Sequence, residues 1–158
     1  MKNILAADIG GTNSRFAHFT LDEKGKLALN NTRWFETRKS TSFSQLLELL
    51  NRSDFSLPID QSDIAVLAVA GPIINGVYSD PPNIPWDIDL SSGRNNFNLT
   101  RCFLINDFVA LAYACRSPII RSARQIIAGQ IDSSAPLAVI GAGTGLGMAA
   151  LTDRKSVV

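Results

Sequence analysis

Residues 4–17 read Ile4-Leu-Ala-Ala-Asp8-Ile-Gly10-Gly11-Thr12-Asn13-Ser-Arg15-Phe-Ala17, two apolar runs joined by a short glycine-rich turn. Apolar and β-branched residues on both sides of Gly10-Gly11 predict a β-hairpin with strands over 2–7 and 14–20. Glycines in such a turn let backbone N–H groups approach a phosphate without interference from a Cβ atom. The hairpin is therefore a candidate phosphate-binding turn.

A second glycine-rich turn occurs near the other end of the chain, in Leu137-Ala-Val-Ile-Gly141-Ala-Gly143-Thr144-Gly145-Leu-Gly147-Met-Ala-Ala-Leu151. It does not fit the dinucleotide-binding fingerprint, because Leu146 or Met148 stands where the third glycine is required. The residues that follow also look like a strand, whereas that fingerprint requires a helix. A Walker A loop is excluded, since Gly-Lys-Ser and Gly-Lys-Thr do not occur. The pattern favours a second phosphate hairpin.

Between the two hairpins, helical and strand-like patterns alternate, which indicates an α/β fold with a mixed sheet. Apolar residues at helical spacing predict a helix over 42–50, and the continuous apolar run 64–70 predicts a buried parallel strand. The remaining predicted elements are a strand within 26–36, a loop over 79–85, a short helix over 89–97, a strand over 101–105 and a helix over 108–114.

The composition argues against several classes of protein. The net charge of +1 over 158 residues provides no basic field for nucleic acid. No apolar run approaches the roughly 20 residues that span a bilayer, and the chain enters a strand too early for a signal peptide. Cys102 and Cys115 lack metal-ligand spacing and are expected to be reduced thiols. We therefore expect a cytoplasmic protein that binds neither nucleic acid nor membrane.

Polar residues at the first turn are candidates for phosphate and metal chemistry. Asp8 ends a buried strand, where a solvated surface role is not expected, and its carboxylate would hold Mg²⁺ beside a bound phosphate. Thr12 and Asn13 provide short donors where a phosphate oxygen would lie. The alternative for all three is ordinary side-chain turn chemistry.

A second group of candidates follows the strand at 101–105. Asn106-Asp107 stands at a strand-to-helix junction, which is where open α/β sheets bind ligands. The Asp107 carboxylate would accept a proton from a substrate hydroxyl that attacks a phosphoryl group, although a helix cap is the alternative. Asn83 would bind a polyol and Trp86 would line a sugar pocket, or they are a loop Asn and a core Trp. His18 is interpreted as a residue on a strand face and not as a base.

Four motifs in this order carry a family resemblance: Asp8-Ile-Gly-Gly-Thr-Asn-Ser-Arg15, Ala70-Gly-Pro-Ile73, Leu104-Ile-Asn-Asp-Phe108 and Gly141-Ala-Gly-Thr-Gly-Leu-Gly147. The chain closely resembles bacterial glucokinases, in the sugar-kinase branch of the actin-like ATPase superfamily. The resemblance implies an RNase-H-like lobe, with a mixed β-sheet and flanking helices, plus the first hairpin of a second lobe. It also implies that ATP and Mg²⁺ are used to convert glucose to glucose 6-phosphate at the start of glycolysis. A homodimer of the full-length protein is compatible with the family.

The resemblance also implies roles for individual residues. Asp107 would be the base for the sugar 6-hydroxyl, Asn106 would bind the sugar, and Asn83 would lie on the sugar side. Asp8 would be the carboxylate on the Mg²⁺ side. The first phosphate loop would comprise Gly10, Gly11, Thr12 and Asn13, and the second Gly141, Gly143, Thr144 and Gly145, with Thr144 as a hydroxyl donor.

By the same resemblance, residues 1–115 would be the N-terminal lobe and 116–152 the start of a second lobe. In the family a Glu-x-x-His motif, a further Glu and the adenosine pocket follow the second loop, and this sequence does not contain them. We therefore expect negligible kinase activity from these 158 residues alone. Two alternatives on the same fold are a sugar-responsive regulator and an actin-like ATPase without a sugar site.

Residues 153–158, Asp-Arg-Lys-Ser-Val-Val, are abruptly polar and have no counterpart in the family. A widely used short-read sequencing adapter encodes the same six residues, so we expect a non-native tail. The alternative is a divergent natural end. The codons decide between them, since any run other than GAT-CGG-AAG-AGC-GTC-GTG excludes the adapter.

Overall fold

The computed structural model describes residues 1–91, 97, 99, 101–130, 132, 134–142, 146–152 and 155–157, the last three for the backbone only. They belong to two compact units, Met1–Asn106 and Asp107–Val158. The sequence placed the end of the first lobe at residue 115. That boundary stays a prediction; among the compact units, the helix Asp107–Cys115 belongs to the second and packs with the residues that follow it.

The strands of the first unit are β1 (Lys2–Ile9), β2 (Asn13–Leu21), β3 (Leu27–Glu36), β4 (Ile64–Val69), β5 (Tyr78–Ser79), β6 (Ile88–Asp89) and β7 (Cys102–Asn106). Five of them form a mixed sheet with strand order β3-β2-β1-β4-β7. The two hairpins β1–β2 and β2–β3 are antiparallel, whereas β4 lies parallel to both β1 and β7. A separate antiparallel ribbon contains β5 and β6.

Helix α1 (Phe43–Arg52) and one face of this sheet share the core of the first unit. Alternate residues of β1, among them Leu5 and Ile9, are fully buried, and α1 contributes an apolar stripe at helical spacing. The helix begins after Ser42, whose side chain accepts a hydrogen bond of 3.1 Å from the Gln45 N–H. Single turns of 3₁₀ helix, Thr37–Lys39 and Ile59–Gln61, connect the elements.

The second unit contains α2 (Asp107–Cys115), a short 3₁₀ helix (Pro118–Ser122) and the strands β8 (Leu137–Ala142), β9 (Leu146–Thr152) and β10 (Lys155–Val157). The three strands form one sheet of order β10-β9-β8. Ala112 of α2 is buried with Ala149 and Leu151 of β9, and Phe108 packs against this cluster. The second glycine-rich turn joins the antiparallel strands β8 and β9, as the sequence predicted.

Most of the predicted elements are confirmed, and their bounds differ by at most two residues at either end. The predicted loop over 79–85 is wrong at its first residue, because Ser79 pairs with Ile88. The predicted helix over 89–97 is wrong at its start, since Asp89 lies in a strand, and residues 92–96 lie outside the described part. Within the described ranges, no helix has the length and apolar character to cross a membrane.

Candidate active site

The first glycine turn is closed by its own backbone and by Thr37. The Gly10 N–H donates to the Asn13 carbonyl at 3.0 Å, and the Thr37 N–H donates to the Thr12 carbonyl at 3.0 Å. The Thr37 hydroxyl donates to the Gly10 carbonyl at 2.6 Å. In the described part of the chain, no hydrogen bond uses the N–H of Gly11 or Thr12. A turn with its Gly10, Thr12 and Asn13 carbonyls engaged and two N–H groups available is suited to an anion.

Gly11 lies directly against Asn83, so the first unit brings a predicted phosphate residue and a predicted sugar residue together. A Cβ atom at Gly11 would lie 2.8 Å from the Asn83 Cβ and 2.8 Å from the Asn83 carbonyl oxygen. Such a close approach is open only to glycine. The second glycine of the turn is therefore required by packing, whatever its predicted contact with a phosphate.

Asp8 and Arg15 are opposite each other in the β1–β2 pairing, on the face of the sheet away from α1. The Arg15 Nη1 lies 3.3 Å from the Asp8 Oδ2, and the Arg15 guanidinium lies 4.2 Å from the centre of the Trp34 ring. The Asp8 side chain is 52% exposed. The expectation that Asp8 is poorly placed for solvent was wrong, because strand alternation puts it on the opposite face from Ala7 and Ile9.

Asp8 fits a Mg²⁺ ion by donor chemistry. Among the residues that the structure describes, no three His, Cys, Asp or Glu side chains cluster as a metal site. A single exposed carboxylate is nevertheless suitable, because Mg²⁺ keeps several waters and is commonly held by one or two carboxylates together with substrate phosphates.

Asn106 ends β7 and holds the Gly71-Pro72 turn. Its Nδ2 donates to the Gly71 carbonyl at 3.0 Å. Gly71 in turn lies against Pro81, because a Cβ at Gly71 would lie 2.8 Å from the Pro81 Cα. The loop after β4, the loop before β6 and the end of β7 are thus connected. The Asn106 amide has a structural function in addition to its predicted contact with a sugar.

In the second unit, Asp107 is the first residue of α2. Its Oδ1 accepts a hydrogen bond of 2.9 Å from the Phe108 N–H. This position lets the N-terminal end of the helix stabilise a charged carboxylate. The sequence placed Asn106-Asp107 just ahead of the helix, and the structure includes Asp107 in its first turn. Capping and proton acceptance are compatible functions of one carboxylate.

The second glycine turn packs on Phe108 at its described ends. A Cβ at Gly141 would lie 2.9 Å from the Phe108 ring, and a Cβ at Gly147 would overlap that ring. The three predicted phosphate-binding residues at its tip, Gly143, Thr144 and Gly145, lie outside the described residues. In the described residues, the Phe108 ring thus supports both ends of the turn.

Trp86 and His18, two further residues considered in the sequence, are both buried. Trp86 is buried, and its Nε1 donates to the Ser40 carbonyl at 2.9 Å, so it is a core Trp. His18 is buried on the α1 face, with its Nδ1 2.8 Å from the Ser56 Oγ and its Nε2 3.3 Å from the Asn3 Oδ1. Burial lowers the pKa of His18.

Thr37 is the residue of this site that sequence reasoning missed. It lies in a polar stretch after β3, where a Thr carries no distinctive pattern. Its importance comes from full burial and from three hydrogen bonds to residues more than 20 positions away.

The sheet has three antiparallel strands followed by two parallel ones, and a glycine turn joins β1 to β2. Together these features define the class of the fold, an RNase-H-like lobe of the actin-like ATPase type. The sequence profile of the Glucokinase family matches residues 5–158. The chain therefore belongs to the glucokinase family.

Individual relatives agree with this assignment. A glucokinase of Saccharophagus degradans is 33% identical over 147 residues, which are 93% of this chain and 44% of the relative. A glucokinase of Sinorhizobium medicae is 36% identical over 148 residues, 94% of this chain and 42% of the relative. The crystal structure of a glucokinase from an Antarctic psychrotroph superposes with a TM-score of 0.78 at 34% identity, covering 99% of this chain and 49% of that one. The chain thus spans less than half the length of these relatives.

Proposed function

We propose that this chain forms part of an enzyme that transfers the terminal phosphoryl group of ATP to the 6-hydroxyl of glucose. The observation that carries the proposal is the family match over residues 5–158. It favours a sugar kinase over the two alternatives, a sugar-responsive regulator and an actin-like ATPase without a sugar site. The geometry of the first turn supports the same conclusion, because an anion cradle lies against the sugar-side Asn83.

In this proposal the first glycine turn binds phosphate oxygens through the N–H groups of Gly11 and Thr12. The side chains of Thr12 and Asn13, both exposed, add polar donors at the same turn. Asp8 would hold Mg²⁺, which when bound neutralises phosphate charge. The second turn, with Gly141, Gly143, Thr144 and Gly145, would bind phosphate in the same manner. Donors fixed in advance stabilise the charge of a transferring phosphoryl group at little reorganisation cost.

Asp107 is proposed as the general base. Its hydrogen bond from the Phe108 N–H and its place in the first turn of α2 stabilise the ionised carboxylate, the form that accepts a proton. Asn106 and Asn83 are proposed to bind glucose hydroxyls. The tether from Asn106 to the Gly71 carbonyl supports this by limiting the rotation of the amide.

The decisive experiment joins the chain to the part of a relative that it does not span. Residues 1–152 are fused to the corresponding remainder of the Saccharophagus degradans glucokinase, and ADP release is measured with and without glucose. We expect ADP release that depends on glucose, and a loss of about a hundredfold or more in kcat for Asp107→Asn, the lower range for general-base catalysis. The control Asp60→Asn, which changes an exposed carboxylate in the 3₁₀ turn Ile59–Gln61, keeps its kcat.

Two results would contradict the proposal. ATP turnover that ignores glucose would favour an actin-like ATPase without a sugar site, and glucose binding without turnover would favour a regulator. We expect negligible kinase activity from the 158 residues alone. Rapid glucose phosphorylation by them would refute the expectation that some of the glucose ligands lie in the part of the family that follows the second loop.

The proposal includes a cytoplasmic enzyme of glycolysis whose full-length form is a homodimer. The reduced thiols Cys102 and Cys115 are consistent with that compartment.

A further inference from the structure

We propose that Thr37 is the positioning residue of the first phosphate turn. Its hydroxyl holds the Gly10 carbonyl, whose peptide unit carries the Gly11 N–H, and its N–H holds the Thr12 carbonyl on the other side of the turn. The Gly11 N–H, and the Thr12 N–H between the two held peptide units, thereby remain available to phosphate. The inference rests on the proposed function and deepens it, because it assigns the shape of the phosphate site to a residue outside the glycine motif.

The direction of each hydrogen bond follows from the chemistry of the groups. The Gly10 carbonyl can only accept, so the Thr37 hydroxyl donates its one proton there, over 2.6 Å. The Ser14 Oγ lies 2.8 Å from the Thr37 Oγ1, and its hydroxyl must therefore donate to Thr37. Ser14, Thr37 and Gly10 thus form a directed chain. Ser14 and Thr37 both have 0% exposure, so water does not replace either partner.

The backbone of Thr37 provides the second attachment. Its N–H donates to the Thr12 carbonyl at 3.0 Å, on the far side of the turn from Gly10. Two carbonyls, one on each side of the turn, are therefore held by one residue. With its carbonyl engaged, a peptide unit cannot rotate to turn that oxygen towards the ligand. An oxygen facing a phosphate would repel it, so fixing the carbonyls protects an anion site.

Removal of the hydroxyl alone should loosen the turn without removing the residue's volume. Thr37→Val is close in shape and loses the donor, which leaves the Gly10 carbonyl and the Ser14 hydroxyl buried without their partner. Thr37→Ser keeps the hydroxyl and loses a methyl group. If the hydroxyl positions the turn, serine retains phosphate binding and valine does not.

The test uses the 158-residue chain labelled with ¹⁵N and titrated with Mg-ATP, and separately with inorganic tripolyphosphate. In the wild type, the amide signals of Gly11 and Thr12 should shift saturably with both probes. Thr37→Val should raise both dissociation constants about tenfold, as expected for one buried hydrogen bond, whereas Thr37→Ser should stay within about twofold. The matched control is Ser62→Ala. It removes a buried hydroxyl that donates to the Ile59 carbonyl at 2.7 Å, at the opposite end of the sheet.

The outcomes separate the inference from the proposed function. If the wild type binds neither probe, the phosphate turn is refuted and the inference falls with it. If the wild type binds and Thr37→Val binds equally well, only the inference is overturned. It is also overturned if serine is as weak as valine, since packing of the methyl group would then explain the loss. Should the valine variant fail to fold, Ser14→Ala decides: weakening by about threefold supports the directed chain, and unchanged affinity refutes it.

Discussion

A methyl group at Gly11 tests whether the first glycine turn is packed against the loop that carries Asn83. In Gly11→Ala the new Cβ would lie 2.8 Å from the Asn83 Cβ and 2.8 Å from its carbonyl oxygen. Unstrained carbon atoms in contact lie about 3.5–4.0 Å apart, so the two segments must separate by about 0.7 Å or more. A side-chain rotation cannot relieve this, because the backbone of Asn83 is one of the partners. Overpacking of this kind costs about 1–3 kcal/mol in the free energy of unfolding.

The assay pairs urea unfolding with a Mg-ATP titration. We expect Gly11→Ala to unfold at a lower urea concentration and to bind ATP about tenfold more weakly. A tenfold weaker affinity corresponds to about 1.4 kcal/mol of binding free energy, the part of the strain that falls on the turn. The control is Gly25→Ala, in the β2–β3 turn at the other end of the hairpin. Gly25 has a φ of 78° and nothing within 4 Å, so alanine there costs about 1–2 kcal/mol through backbone strain alone and should leave ATP affinity unchanged. Normal stability and normal affinity in Gly11→Ala would refute the close packing of turn and loop.

Three further predictions concern stability. Burial lowers the pKa of His18, so the unfolded chain binds the proton more readily than the folded one. The free energy of unfolding should therefore fall as the pH drops below about 6.5, and His18→Gln should remove this dependence. The same pH profile in both proteins would refute the assignment to His18. Ser42→Ala should cost about 1 kcal/mol in thermal unfolding and Ser42→Gly only a few tenths, since glycine also tolerates the cap position; equal costs would argue against the cap. Gly147→Ala, which places a Cβ in the Phe108 ring, should cost about 1–3 kcal/mol and increase amide exchange in β8 and β9, whereas unchanged exchange would contradict that contact.

The sequence predicted most of the secondary structure because its patterns are local. The apolar alternation of β1 and β2, the continuous run of β4 and the helical stripe of α1 each arise within one segment. Turn chemistry is local in the same way, so both glycine turns were found and their strand–turn–strand character was confirmed.

The errors concern relations between segments. Asp8 was expected to avoid solvent because it follows apolar residues, but the face on which it lies depends on which side of the sheet α1 packs. The packing of the apolar residues of helix α2 with β9 is likewise a relation between segments that no local pattern predicts. Neither fact is contained in a window of neighbouring residues.

By itself, the sequence determined the class of the chain and its family, since four ordered motifs combine glycine turns with an Asn-Asp junction. Tertiary structure alone decided how the first turn is held. Thr37, 27 residues from Gly10, supplies the hydrogen bond, and Asn83 supplies the surface against which Gly11 packs. The physical reason is that turn propensity is a property of consecutive residues. Hydrogen-bond partners and close contacts depend on distances in space, which are established only when the sheet has formed.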